Sequence, residues 1–130
     1  MVVHCTATSQ KATVAAIQNY WRNALGWKNP GYHLIIEPNG NTHQLQDITR
    51  LANGVRGHNA NSIHIAYIGG VDAQNQPADN RTAAQKESLL KVLTDLKKRF
   101  PGATIQGHRD FAGVTKACPS FDAKLEYRNL

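Results

Sequence analysis

Three features of the sequence predict an α/β fold in one domain. Strand-like and helix-like segments alternate along the chain. One apolar run, Ser62-Ile63-His64-Ile65-Ala66-Tyr67-Ile68, suits a strand buried on both faces. No linker, repeat or low-complexity tract interrupts the 130 residues. A chain of this length buries enough surface to stand without cross-links. The expectation is a single domain over residues 1–130, with a central sheet of about five strands flanked by helices.

The elements follow in order. Met1 to Thr6 alternates, with Val2, His4 and Thr6 on one face and Val3 and Cys5 on the other, as a strand requires. A helix is expected from Thr13, its cap, to Gly26, with Ile17, Trp21 and Ala24 at helical spacing. After the Asn29-Pro30-Gly31 turn, Tyr32 to Ile36 reads as a strand, and Pro38-Asn39-Gly40 turns it into a partner near Thr42 to Leu45. Residues 46 to 61 have no period and are rich in Asn and Gly, so they form a surface connection able to line a site. The apolar run then gives the central strand, closed by Gly69-Gly70, and a polar loop spans Asp72 to Asn80. Thr82-Ala83-Ala84-Gln85 makes a capping box for the strongest helix, with Leu89, Leu93, Leu96 and Phe100 as its apolar stripe and Pro101-Gly102 as its stop. Ala103 to Gly107 is a short last strand, and Asp122 to Tyr127 a terminal turn or helix.

Composition narrows the classes. Hydrophobic residues at 41% and charged residues at 18% are those of a globular domain. No apolar run approaches the roughly 18 residues that span a bilayer, and Met1-Val2-Val3-His4 has neither the basic nor the apolar part of a secretion signal. Synthesis in the cytoplasm is therefore expected. Net charge +6 favours acidic partners without choosing among nucleic acid, membrane surface and anionic cell-wall polymer. A nucleic-acid binder lacks support, because there is no helix-turn-helix, zinc finger or RNP-type aromatic strand. Cys5 and Cys118 are weak evidence for a disulfide, and metal binding or free thiols suit them better.

Three soft-metal donors fall where strands or their loops can deliver them: His4 on the first strand, His108 just after the last, and Cys118 in the loop beyond. Catalytic zinc sites use three protein ligands and keep the fourth position open, and one Cys with two His is an allowed set. No HExxH, CxxC or EF-hand motif is present. Bare spacing therefore leaves structural or surface roles open for each histidine. Tyr32 alone can be strand packing, and Lys116 alone a solvated loop charge.

Five blocks decide more. Val3-His4-Cys5-Thr6-Ala7-Thr8, Gly31-Tyr32-His33-Leu34-Ile35-Ile36, Asn61-Ser62-Ile63 leading to Gly69-Gly70, Gly107-His108-Arg109-Asp110, and Lys116-Ala117-Cys118-Pro119-Ser120-Phe121-Asp122 run in order from residue 3 to 122. Together they resemble the type-2 N-acetylmuramoyl-L-alanine amidases, a family that includes phage lysozymes of the zinc amidase type and the animal peptidoglycan-recognition proteins. The resemblance implies a central mixed sheet with helices on its faces, in agreement with the element order. It implies Zn2+ held by His4, His108 and Cys118, with Tyr32 and Lys116 as active-site groups.

What such a site does chemically also follows. Two neutral imidazoles and one thiolate leave zinc a net charge near +1, enough to acidify a bound water, which becomes the nucleophile, and to polarise an amide carbonyl. In the resembled family the bond cut joins the lactyl group of N-acetylmuramic acid to L-alanine of the stem peptide. Tyr32 and Lys116 are then the donors to the developing oxyanion, each worth about 3 kcal/mol of transition-state stabilisation. No Asp or Glu falls on a recognised catalytic position, so proton transfer to the leaving amine is left to Lys116, Tyr32 or a water relay. The implied partner is peptidoglycan or its muropeptides, met by a monomer after lysis or signal-independent export. A non-catalytic peptidoglycan-binding module of the same fold is the alternative, but such members typically lack the cysteine that this chain keeps.

Other residues have more ordinary readings. Cys5 points away from His4 and reads as a small buried residue; His33 alternates away from Tyr32; His43 reads as surface. His64 is either a hydrogen-bonded core histidine, the commoner use, or a group behind a ligand. Asp110 either orients a ligand or closes a turn. The chain departs from the resembled family at Gly54, where members often carry histidine. Arg56 or His58 are expected to take over contacts with stem-peptide carboxylates, beside Asn59, which matches the family's asparagine. The loop between His108 and Cys118 is longer than in the phage enzymes it most resembles.

Overall fold

The computed structural model describes residues 1–130. Its strands are β1 (Val2–Cys5), β2 (Leu34–Ile36), β3 (Thr42–Gln44), β4 (His64–Tyr67) and β5 (Gln106–Gly107), lying in one sheet in the order β3-β2-β4-β1-β5. Only β2 and β3 pair antiparallel, across the expected hairpin; β2 with β4, β4 with β1, and β1 with β5 are parallel. The sheet is thus mixed and five-stranded. The apolar run expected at its centre is there: β4 has neighbours on both sides and all four of its residues are buried.

Register assigns the two faces. Val3 lies beside Ile65, His4 beside Ala66, and Ile35 also beside Ala66. Val3, Cys5, Ile36, Ile65 and Tyr67 therefore point to one side and His4, His64, Ile35 and Ala66 to the other, the alternation a pleated strand imposes.

The first side is covered by α2 (Ala83–Arg99), whose capping box forms in both directions: Thr82 Oγ1 accepts from Gln85 N–H at 3.0 Å and Gln85 Oε1 accepts from Thr82 N–H at 3.0 Å. Leu89, Leu93 and Leu96 are buried against Val3, Ile65 and Tyr67, each contributing ~2 kcal/mol by burial. Phe100 departs from the expected stripe. It stands just past the last helical residue, out of helical geometry, and remains 38% exposed. Helical spacing buries a side chain only while the helix continues. Gln85 Nε2 donates to Ile36 O at 3.2 Å and Ile68 O at 3.0 Å, tying α2 to the ends of β2 and β4. The terminal helix α3 (Ala123–Glu126) joins this layer, held by the buried Arg81 guanidinium, which pairs with Glu126 and Asp79 and lies 3.4 Å from the Phe121 ring centroid.

The second side meets α1 (Val14–Asn19), capped by Thr13 as expected. The expected helix does not run regularly to Gly26. From Tyr20 to Ala24 it widens into a π turn, with Leu25 N–H donating to Tyr20 O at 3.1 Å, before Gly26 at φ +67° ends it. The wider turn keeps Ile17 and Trp21 buried and carries Ala24 out to solvent. A Cβ at Gly31 would stand 2.9 Å from the Trp21 ring, so glycine lets the chain pass over the indole. Residues 46 to 61 are irregular except for a 3-10 turn at Asn59–Asn61. No helix is long and apolar enough to cross a membrane.

Candidate metal centre and its cavity

His4 sits on β1 with 1% of its surface exposed. Because β5 runs parallel beside β1, its C-terminal end delivers His108, the first residue of a 3-10 turn, to the same region. Asp110 closes that turn by accepting the Gly107 N–H at 2.8 Å, and so takes the turn role. Cys118 returns on the following loop: Arg109 N–H donates to Cys118 O at 2.8 Å, and Cys5 N–H donates to Cys118 Sγ at 3.2 Å. Gly107 permits this approach, since a Cβ there would lie 2.7 Å from Pro119 Cδ.

These three chain segments bring one ligand atom each from His4, His108 and Cys118 within 4.8 Å of one another. Cys118 Sγ stands 3.8 Å from His4 Nδ1, and the His4 and His108 rings are 4.9 Å apart. The three open onto a cavity also lined by Tyr32, Trp27, Asn53, Gly54 and Lys116, and by no carboxylate.

The electrostatics suit a cation. Burial holds His4 well below the usual imidazole range, reinforced by His64, His108 and Lys116; burial and then Lys116 hold His108 down. Both rings are neutral at pH 7 and keep a lone pair for a metal. The neighbouring Cys5 thiol and burial push the Cys118 thiol up, so a metal cation is what would draw its proton off, with the Cys5 N–H ready to stabilise the thiolate. Borderline-soft N, N and S donors fit zinc, and three of them fit an open coordination sphere.

Tyr32 packs edge-on against Trp21 at 5.3 Å and lies 5.0 Å from the His4 ring, with Oη donating to Cys5 O at 3.2 Å. Burial raises its phenol well above the usual range, so it remains a donor. Lys116 stands exposed at the rim of the cavity. His33 does not alternate away from Tyr32 as expected. Both face this side, His33 stacking on His64 at 5.8 Å, because regular strand geometry begins only at Leu34. Cys5 is buried on the α2 side as expected, and His43 is exposed and paired with Glu37.

Arg56, His58 and Asn59 do not line the cavity. Arg56 is exposed, His58 stacks on Phe111 at 4.6 Å, and Asn59 turns its oxygen inward to Val55 and His64. His64 is fully buried and hydrogen-bonded to His4, so it is both a core histidine and a group behind a candidate ligand. Asn53 and Trp27 were not singled out by sequence reasoning, and Gly54 was noted only as a departure from the resembled family. For Asn53 and Gly54 the signal was the aperiodic Asn- and Gly-rich stretch expected to line a site.

Fold and donor set together define a class: an α/β domain carrying, at the ends of adjacent parallel strands, a three-donor group that could hold a metal. The chain belongs to the N-acetylmuramoyl-L-alanine amidase family, whose sequence model matches residues 1–121. It is similar to the endolysin of Klebsiella phage KP32, with 37% identity over 123 residues, covering 94% of this chain and 80% of that protein. It is also similar to peptidoglycan-recognition protein SC2 of Drosophila melanogaster, with 29% identity over 137 residues and coverage of 98% and 71%. Among solved structures, the Ph2119 endolysin from the Thermus scotoductus MAT2119 bacteriophage superposes with a TM-score of 0.77 at 25% identity, covering 91% of this chain and 74% of the endolysin. The protein is accordingly an amide hydrolase of bacterial cell-wall degradation.

Proposed function

We propose that residues 1–130 form a single zinc amidase domain that hydrolyses the bond between the lactyl group of N-acetylmuramic acid and L-alanine of the stem peptide. The observation that carries this reading is the convergence of His4, His108 and Cys118 beneath a cavity walled by Tyr32 and Lys116. His4, His108 and Cys118 would hold zinc, which when bound would supply a Lewis acid for the scissile carbonyl and acidify a water for attack at neutral pH. The chain's own groups do the rest. Tyr32, kept protonated by burial, and Lys116, at the rim, donate to the oxygen on which negative charge develops. Trp21 holds the Tyr32 ring from the side, and the phenol O–H, which donates to Cys5 O, turns from that carbonyl to the developing charge. No carboxylate lines the cavity, which leaves Lys116, Tyr32 or a water relay to pass the proton to the leaving amine.

Arg56 and His58, on the loop that continues from Gly54, are the proposed contacts for stem-peptide carboxylates outside the cavity. The +6 charge favours an anionic wall, and the domain acts on peptidoglycan as a monomer. Incubation of the zinc-loaded protein with purified muropeptides, followed by mass analysis, is the test. Separate sugar and peptide halves with a free L-alanine amino terminus are expected; binding without cleavage would overturn the reading in favour of a recognition module.

A further inference from the structure

Behind the candidate ligand His4 lies a chain of hydrogen bonds whose directions can be worked out one by one. It begins at Asn59. The Val55 N–H donates to Asn59 Oδ1 at 2.8 Å, and a backbone N–H can only donate, so that atom is the amide oxygen. His64 Nε2 lies 2.9 Å from the same oxygen. An oxygen cannot donate to a ring nitrogen, so His64 Nε2 carries a proton. The His64 ring is buried, stacked at 5.8 Å on His33, with no carboxylate against it. It therefore has one ring proton, and Nδ1 is bare. His64 Nδ1 stands 2.9 Å from His4 Nε2, which must be the donor. Nδ1 is then the bare nitrogen of His4, and Nδ1 is the atom that faces Cys118 Sγ at 3.8 Å.

Two further observations show that the arrangement is built. His64 lies on β4 two residues before Ala66, the register partner of His4, so both rings leave the same face of the sheet from adjacent strands. A Cβ at Gly54 would collide with the His64 imidazole, so the ring keeps its place only because residue 54 has no side chain. The departure from the family pattern at Gly54 thus has a physical use in this chain.

We infer that His64 is a positioning residue for the metal centre: anchored by Asn59 and given room by Gly54, it holds His4 with the proton on Nε2 and the lone pair of Nδ1 aimed at the metal. The inference rests on the metal reading above. Groups placed this way behind a ligand usually set metal affinity by 10- to 100-fold, through ring orientation and ligand basicity (about 10–100). Asn59, expected to meet substrate, instead acts through His64.

The test separates failure of this inference from failure of the metal reading. Zinc affinity is measured by chelator competition for the wild-type protein and for His64→Leu, His64→Gln and Gly54→Ala, with circular dichroism to follow folding. Glutamine offers an acceptor and a donor in one side chain; leucine offers neither. Wild-type affinity in His64→Gln within a few-fold, with about a 10- to 100-fold loss in His64→Leu and Gly54→Ala, is the expected result. Equal losses in the glutamine and leucine variants reduce His64 to packing and overturn the inference. So does unchanged affinity in folded His64→Leu. Absence of zinc binding by the wild-type protein overturns the metal reading and this inference together.

Should His64→Leu not fold, long-range 15N correlation spectra of the metal-free wild-type protein decide the same point. Protons on Nε2 of both His4 and His64 are expected. A proton on His64 Nδ1 with His4 Nε2 bare overturns the assignment.

Discussion

The two faces of the sheet are held by different forces. On the α2 side, Val3, Ile65, Tyr67 and Ile36 meet Leu89, Leu93 and Leu96, and the layer is mainly apolar, with Gln85 and Arg81 as buried polar ties at its edges. On the α1 side, a small apolar cluster of Ile17, Trp21, Ile35, Ala66 and Ile68 shares the surface with the buried rings of His4, His33 and His64. Apolar contacts are non-directional and accept any neighbour of suitable volume. Buried rings accept only a neighbour with the right donor or acceptor, and no buried side-chain nitrogen or oxygen here lacks one. One face therefore supplies stability, and the other trades part of that stability for fixed protonation states beside the candidate metal centre.

The comparison predicts where damage appears. The largest effect is expected from Cys118→Ser, which should remove zinc and abolish muropeptide cleavage while the α2 side keeps the fold; zinc retained on metal analysis would sink the ligand assignment. Acid comes next. In the chelated protein, burial pushes His64 from 6.5 down to about 3 and also lowers His33, the latter against opposing contributions from Arg50 and Asp47. The unfolded chain binds protons near pH 6.5 that the folded rings refuse. The stabilisation is thus complete above that pH and is lost as the pH falls toward 3, by at most about 5 kcal/mol for His64. Urea midpoints that do not move between about pH 7.5 and 5 would contradict this.

Leu93→Ala should cost about 3 kcal/mol of folding stability, with cleavage by the remaining folded protein unchanged; a matching loss of turnover would show that the two faces are not separable. Tyr32→Phe and Lys116→Ala should do the reverse, keeping zinc and the urea midpoint but slowing cleavage by about 100-fold, the rate equivalent of nearly 3 kcal/mol. Wild-type release of L-alanine amino termini would refute their roles. Thr82→Ala is the smallest change, about 1 kcal/mol lost from the α2 cap, and a silent result in urea unfolding would mean that packing alone sets the end of that helix.

Much of the α2 side was legible in the sequence because its signals are local. A capping box spans four residues, a leucine stripe repeats within one helix, and an apolar run such as Ile63 to Ile68 marks a central strand without reference to its neighbours. Local signals failed where geometry changed within an element. Ala24 has the spacing of a buried residue, but the π turn moves it to solvent, and Phe100 keeps the stripe's spacing one residue beyond the helix. The alternation that separated His33 from Tyr32 failed for a related reason, since the period of two holds only inside the strand.

By itself the sequence determined the α/β class, the order of its elements, and a family resemblance that pointed to His4, His108, Cys118, Tyr32 and Lys116. These are properties of residue type and of spacing along the chain. Tertiary structure alone decided that Asn59 reaches His64 and not the cavity, that Gly54 makes room for a ring from another strand, and that His4 offers Nδ1. Each of those depends on partners brought together by strand register and loop return. A hydrogen bond's direction is fixed only when both of its ends are known, and the residue at the other end can lie sixty positions away, as His64 does from His4.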